Sequence, residues 1–348
     1  MTGHTLVVRL DSMGDVLISG PAVRAVAAGS SRVTLLTGPL GAAAARLLPG
    51  VAEVLVWACP WILNPAPPVT PADIAELTAL IAGLGVDRAL ILTSFHQSAL
   101  PTALLLRLAG VPAIFACSSD YPGSLLDQRI PDPGDGPEPV RMLEIARAAG
   151  FELAPFDDGR LAVAGPLPTV ELGLPARFLV VHPGVTAPAR AYPDERWAET
   201  VTALTHAGWP VAITGSASER ELTARLAAAA SGAAALDLAG ALDLPALAAV
   251  LRCAAAVVVA NTGPAHLAAA VGTPVVSLFS PVVPASRWAP YGVAVSVLGD
   301  QQAACRETRS VVCPVAGHPC LNSVSSQEIV RTVQALAGSP LPAEEMSA

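Results

Sequence analysis

Three short stretches carry residue types able to do chemistry, and each follows an apolar run. The first is Arg9-Leu10-Asp11-Ser12-Met13-Gly14-Asp15. Gly14 lets a ligand approach the backbone, and Asp15 falls where a helix start favours negative charge. A carboxylate there can take the proton of a hydroxyl; equally, Asp15 or Asp11 can serve only as a helix cap. The second is His182-Pro183-Gly184-Val185-Thr186, followed by Arg190, Tyr192 and Pro193. Gly184 and Thr186 offer N–H and hydroxyl donors, and Arg190 can grip phosphate oxygens in two-pronged fashion. The plain alternative is a solvated loop with a surface arginine. The third combines Thr214-Gly215-Ser216 and Glu219 with the turn Asn261-Thr262-Gly263-Pro264 and His266. Free N–H groups and the helix dipole make that turn a ready anion site. Glu219 is awkward beside phosphate unless it accepts from a sugar hydroxyl; otherwise it is an ordinary first-turn acid. His266 can likewise be an ordinary helix histidine.

The elements that must position these residues alternate in type along the chain. Apolar runs predict strands at 5–10, 33–37, 54–57, 88–93 and 113–117, then at 178–182, 210–214, 256–260 and 274–279. Between them the patterns predict helices within 15–28 and at 71–84, 97–108, 140–149, 194–206, 218–230, 244–253, 265–271 and 325–337. Residues 131–139, rich in Pro, Gly and Asp, read as a loop. Residues 164–176 read as a linker, after which the pattern restarts. Two such halves imply two doubly wound α/β domains with a cleft between them. Ligands of such sheets sit at the carboxyl ends of strands, where all three stretches lie.

Composition narrows the function classes. The 348 residues carry a net charge of −8, and no basic stretch suggests a nucleic-acid partner. The chain has no lysine, so arginine, helix ends and backbone N–H groups must meet any anionic ligand. Neither a targeting segment nor an uninterrupted apolar run of spanning length stands out, so the expected compartment is the cytoplasm. Cys59, Cys117 and Cys253 sit in apolar contexts and read as small buried hydrophobes. Cys305, Cys313 and Cys320 cluster with His318, but no C-x-x-C spacing supports a zinc site. A disulfide or loop packing is the favoured reading there. A dinucleotide glycine fingerprint is also missing, which weakens a nicotinamide oxidoreductase.

Taken in order, the opening VVRLDSMGDVLISGPAVRA, then HPG with Arg190 and Tyr192-Pro193, then TGS with Glu219, then NTGPAHLAAAVGTPVVSLFSP and the closing CPVAGHPCL resemble glycosyltransferase family 9. That group contains the ADP-heptose:lipopolysaccharide heptosyltransferases. The resemblance implies a GT-B fold of two Rossmann-like domains facing a cleft. It implies an acceptor-binding domain over 1–163, a linker over 164–176 and a nucleotide-sugar domain over 177–324. A closing helix over 325–337 and a mobile tail over 338–348 complete the expected organisation.

The resemblance further implies an inverting, metal-independent transfer without cofactor. The sequence contains no Asp-x-Asp pair of the kind that holds a divalent metal in other transferases. Asp15 matches the family's base, flanked on the acceptor side by Ser12, Met13 and Gly14. Thr186 and Arg190 match diphosphate positions, Glu219 a ribose-binding acid and Leu242 an adenine-pocket position. Asn261, Thr262, Gly263 and His266 match the phosphate-binding turn. Arg190 stands where the family usually has Lys, Tyr192 where Trp is common, and Asn261 where many members have Asp. The expected partners are an ADP-heptose donor and a glycan, glycolipid or small-molecule acceptor, with peripheral membrane contact left open. The alternatives are a UDP- or GDP-sugar donor, or a non-catalytic nucleotide-binding partner in glycan assembly.

Overall fold

The computed structural model describes residues 3–340 and divides the chain into two compact units, one ending at Ala164 and one beginning at Gly165. In the first unit the strands are β1 (His4–Arg9), β2 (Arg32–Thr37), β3 (Glu53–Val56), β4 (Arg88–Ile91), β5 (Ala113–Cys117) and β6 (Gln128–Ile130). They form one parallel sheet in the order β3-β2-β1-β4-β5-β6. The second unit contains β7 (Leu179–His182), β8 (Val211–Ile213), β9 (Ala235–Asp237), β10 (Ala256–Ala260), β11 (Val275–Leu278) and β12 (Val295–Leu298). Its parallel sheet runs β12-β11-β10-β7-β8-β9, the same winding read from the opposite edge. Each sheet therefore reverses its strand order once, between β1 and β4 and between β7 and β10. At such a reversal the connections leave toward opposite faces and open a crevice at the strands' carboxyl ends. This is the doubly wound α/β class expected from the sequence.

The central strands explain themselves. Every residue of β7 and β10 is buried, as a strand covered on both faces requires, and β1 is buried from Thr5 to Arg9. The second core gathers Trp197 and Trp209 with Leu179, Val181 and Val258, while Leu6, Val8, Ile91 and Ile114 anchor the first. Burying each such side chain contributes about 1.5–3 kcal/mol. Tyr192 belongs to this framework. It is 1% exposed, donates to the Val324 carbonyl at 2.9 Å and meets the Trp197 ring edge-on at 5.1 Å.

Several element bounds depart from expectation for local reasons. The helix expected within 15–28 is two, Met13–Ile18 and Gly20–Ala28. Ser19 turns its hydroxyl back onto the Val16 carbonyl at 2.6 Å, and Pro21 opens the second helix. The helix expected from 97 begins at Leu100, because Gln97 and Ser98 accept from the backbone N–H groups of Ser94 and Leu100 instead. Helices also start earlier than expected at Glu138 and Gly263, each with proline in its first turn. Strands β6, β9 and β12 were not expected at all. Each is a short edge strand, half-exposed or mixed in burial, so no apolar run marks it. Ser325 caps the helix Ser326–Ala337 by accepting from the Glu328 N–H at 3.2 Å. Of the tail expected over 338–348, residues 341–348 lie outside the described residues.

Gly38, just beyond β2, packs its Cα against the Leu10 carbonyl at the end of β1, where a Cβ would collide with it. Gly38→Ala is expected to destabilise the first unit by about 1–3 kcal/mol through overpacking. Urea denaturation checks this; an unchanged midpoint would show that the two loops are not in tight contact.

Candidate functional site

In the first unit, the crevice holds a buried cation. Arg9 ends β1 with a side chain that is 0% exposed. Burying a guanidinium is costly unless carboxylates and hydroxyls meet it. Its Nε lies 3.3 Å from Asp11, and its Nη2 donates to Asp15 at 3.1 Å and to Ser94 at 3.0 Å. Ser94 follows β4, so this contact crosses the point where strand order reverses. Gln97 reinforces the crossing by donating to Asp11 at 2.5 Å. Ser12 donates to the other Asp15 oxygen at 2.6 Å.

Asp15 is thus held by two donors rather than acting as a cap, and the N-cap residue Ser12 makes no side-chain cap bond. The Asp15 side chain keeps 21% of its surface, against 11% for Asp11. Burial pushes the Asp11 carboxyl up, Arg9 opposes that shift and the Asp15 charge adds to it. The pair therefore divides its roles: Asp11 is sealed against Arg9, and Asp15 remains reachable. Met13 is half-buried and Gly14 buried beside them.

In the second unit, the crevice is bridged by another arginine. Arg190 lies on the loop after β7 and donates to the backbone carbonyl of Asn261, just beyond β10, at 3.5 Å. Two of the three stretches are thereby joined. Asn261 is 6% exposed; its Oδ1 accepts from the Ser280 N–H at 3.3 Å, while its Nδ2 is buried without a hydrogen-bond partner. Thr262 is the N-cap of the helix Gly263–Ala270 and makes no side-chain cap bond. His266 is buried in that helix.

Glu219 joins the remaining loops. Its carboxylate accepts from the Ser216 N–H at 2.6 Å, as a first-turn acid in a capping box, and it overlies Gly184 so closely that a Cβ there would collide. Only glycine permits that approach. The Gly240 N–H donates to the Gly215 carbonyl at 2.9 Å, which brings the segment holding half-buried Leu242 onto the same loop. Thr186 is exposed and stands apart from these contacts.

His182, at the end of β7, was singled out by sequence but given no role. Its Nδ1 lies 2.9 Å from the Thr214 hydroxyl. Burial depresses its pKa to about 4, with the Glu219 charge opposing part of the shift. Sequence reasoning also passed over Arg9, Ser94 and Gln97 as a group. The available signal was an arginine closing an apolar central strand, and polar residues directly after β4.

The cysteines need one correction. Cys59 is buried as expected, but Cys117 is half-buried and Cys253 exposed, because Cys253 ends a helix rather than facing the core. Cys305, Cys313 and Cys320 are free thiols packed in the second core, and burial raises the Cys320 pKa to about 11. Among the described residues, no three His, Cys, Asp or Glu side chains gather as a metal site.

The family model described as glycosyltransferase family 9 (heptosyltransferase) matches residues 148–317, which span the sites from Thr186 to His266. Over those residues, just under half of its length, the chain is similar to glycosyltransferase family 9. Lipopolysaccharide heptosyltransferase 1 of Pseudomonas aeruginosa is 41% identical over 110 residues, covering 31% of this chain and 30% of that protein. The family 9 glycosyl transferase of Veillonella parvula superposes with a TM-score of 0.76 at 16% identity, over 96% of this chain and 97% of that one. The E. coli heptosyltransferase WaaC, solved with ADP, gives 0.71 at 21% identity, over 96% and 100%. These likenesses show that the whole described chain has the fold of family 9 structures.

The depressed His182 pKa has a consequence for stability. Above pH 6.5 the ring is neutral both folded and unfolded, so it costs nothing. As pH falls from 6.5 toward 4 the unfolded chain binds a proton that the folded one refuses. Stability is therefore expected to fall across that window, and His182→Gln to flatten this component. Urea denaturation at a series of pH values checks it; parallel profiles for the two proteins would remove His182 as the cause.

Proposed function

We propose that this family 9 chain is an inverting, metal-independent glycosyltransferase that moves a heptose or related sugar from an ADP-sugar to an acceptor hydroxyl. The observation that carries this reading is a reachable carboxylate, Asp15, held at the strand-order reversal of the first unit; the second unit separately has an arginine bridging its own reversal. Three comparisons support the choice of donor. The family model is that of heptosyltransferases, the curated relative is a lipopolysaccharide heptosyltransferase, and WaaC was solved with ADP and with ADP-2-deoxy-2-fluoro heptose.

In this reading the second unit holds the donor. Arg190, the Thr186 and Thr262 hydroxyls and the Gly263 N–H meet the diphosphate, with His266 beside them. Glu219 accepts from the ribose hydroxyls, and Leu242 lies against the adenine. The unpartnered Nδ2 of Asn261 donates to a donor oxygen, which removes the cost of leaving that group unsatisfied. The first unit takes the acceptor around Ser12, Met13 and Gly14. Asp15 removes the acceptor hydroxyl's proton as its oxygen attacks the anomeric carbon from the face opposite the diphosphate. The bond from that carbon to the diphosphate breaks with inversion, and ADP leaves with its charge met by Arg190 and the helix start. The proposed site is cytoplasmic; among the described residues no helix is long and apolar enough to cross a membrane.

Asp15→Asn is expected to lower ADP release from ADP-heptose, assayed with a panel of saccharide acceptors, by about 10²–10⁴-fold while ADP affinity stays put. Equal turnover in the variant would reduce Asp15 to a structural group. Arg190→Ala is expected to weaken ADP binding by about 10–100-fold, the loss of one charge-assisted contact. Unmoved ADP affinity would remove Arg190 from the donor site.

A further inference from the structure

We infer that the first unit carries an acceptor subsite built for an uncharged sugar, in the cavity beside the Arg9 cluster. The inference rests on the transferase reading above and deepens it. The cavity has a volume of about 330 Å³ and lies at the carboxyl ends of β4 and β5. That is the low end of the ~300–1,000 Å³ range of ligand sites, suited to one or two sugar rings. Gln97 lines it and also donates to Asp11, so the cavity adjoins the cluster that holds Asp15.

The charge of its wall decides what it accepts. Arg141 is the only arginine lining it, and it is 3% exposed and already engaged. Its Nε donates to Asp132 at 3.0 Å, its Nη1 reaches the Thr93 carbonyl at 3.1 Å and Glu138 at 3.5 Å, and its Nη2 points at the Cys117 sulfur at 3.7 Å. Two carboxylates therefore meet one guanidinium; of these Asp132 lines the cavity and Glu138 is fully buried, and Asp120 adds a second carboxylate to the lining. A phosphate or carboxylate entering here meets like charge and an arginine already paired with two carboxylates. A hydroxyl meets acceptors instead: the acid oxygens, the Ser118 hydroxyl, whose own proton is given to the Asp120 carbonyl at 3.0 Å, and the Ser119 hydroxyl, which can accept and donate.

One wall favours a sugar among neutral polar molecules. Phe95 lines the cavity half-buried, its ring 5.3 Å from that of His96 and inclined at 78°. A pyranose presents C–H groups on its faces and hydroxyls at its rim. The aromatic surface suits the first and the acid-rich wall the second.

Saturation-transfer NMR at pH 8 tests this with methyl α-mannopyranoside, mannose 6-phosphate and glucuronate. The neutral glycoside is expected to bind, with the two anions at least about tenfold weaker. Ser119→Trp, an exposed substitution that fills the cavity, should abolish glycoside binding without changing the melting temperature. Asp120→Arg should bring mannose 6-phosphate to within a few-fold of the glycoside. Equal or tighter binding of the anions, glycoside binding that survives Ser119→Trp, or no binding of the glycoside at all would overturn the inference. ADP binding measured on the same samples separates the two readings. Its loss overturns the transferase assignment, whereas ADP binding with an anion preference overturns only the neutral subsite.

Discussion

A parallel sheet whose strand order reverses must leave one seam uncovered, because the connections on its two sides depart toward opposite faces. Both units have that seam, β1 against β4 and β7 against β10, and the candidate residues of both lie along it. Each seam is also crossed by an arginine, Arg9 to Ser94 and Arg190 to the Asn261 carbonyl. The two bridges differ in burial and hence in what they can do. Arg9 is sealed, so its charge is spent on Asp11 and Asp15 and fixes their positions. Arg190 is half-buried and reaches the residue before the N-cap of a helix, which suits the donor role proposed for it.

The absence of lysine sharpens this division. All 20 cationic residues are arginines, outnumbered by 28 acids, so positive potential exists only where a guanidinium is placed for it. Long-range attraction of anions is not available to such a chain; local, directional contacts are. The proposed donor crevice would meet an anion in that way, with one arginine, a backbone N–H and a helix dipole. The cavity beside Gln97 does the reverse, consuming its one arginine on carboxylates. The proposed donor seam and the acid-rich cavity thus differ in where the chain spends its guanidinium groups.

The doubly wound class was legible because both-face burial writes central strands as apolar runs: β10 and β5 match their expected bounds residue for residue. Edge strands such as Gln128–Ile130 and Ala235–Asp237 carry no such run and pass for loop. Of the candidate residues, those on strand ends and helix starts were legible by position, and Arg190 with Asn261 proved to be in contact. The Arg9–Ser94–Gln97 group was not legible, because it joins residues about 85 positions apart and only strand order makes them neighbours. Tyr192 shows the opposite limit. Its place in a motif gave it functional weight, yet its hydroxyl and ring are both committed to the core.

The measurement that bears most directly on the account is calorimetric titration of the chain with ADP, UDP and GDP, in the presence of a chelator and again with Mg²⁺. The account predicts that ADP binds in preference to UDP and GDP, with the same affinity in both conditions. Preference for UDP or GDP, or binding that appears only with Mg²⁺, would contradict it.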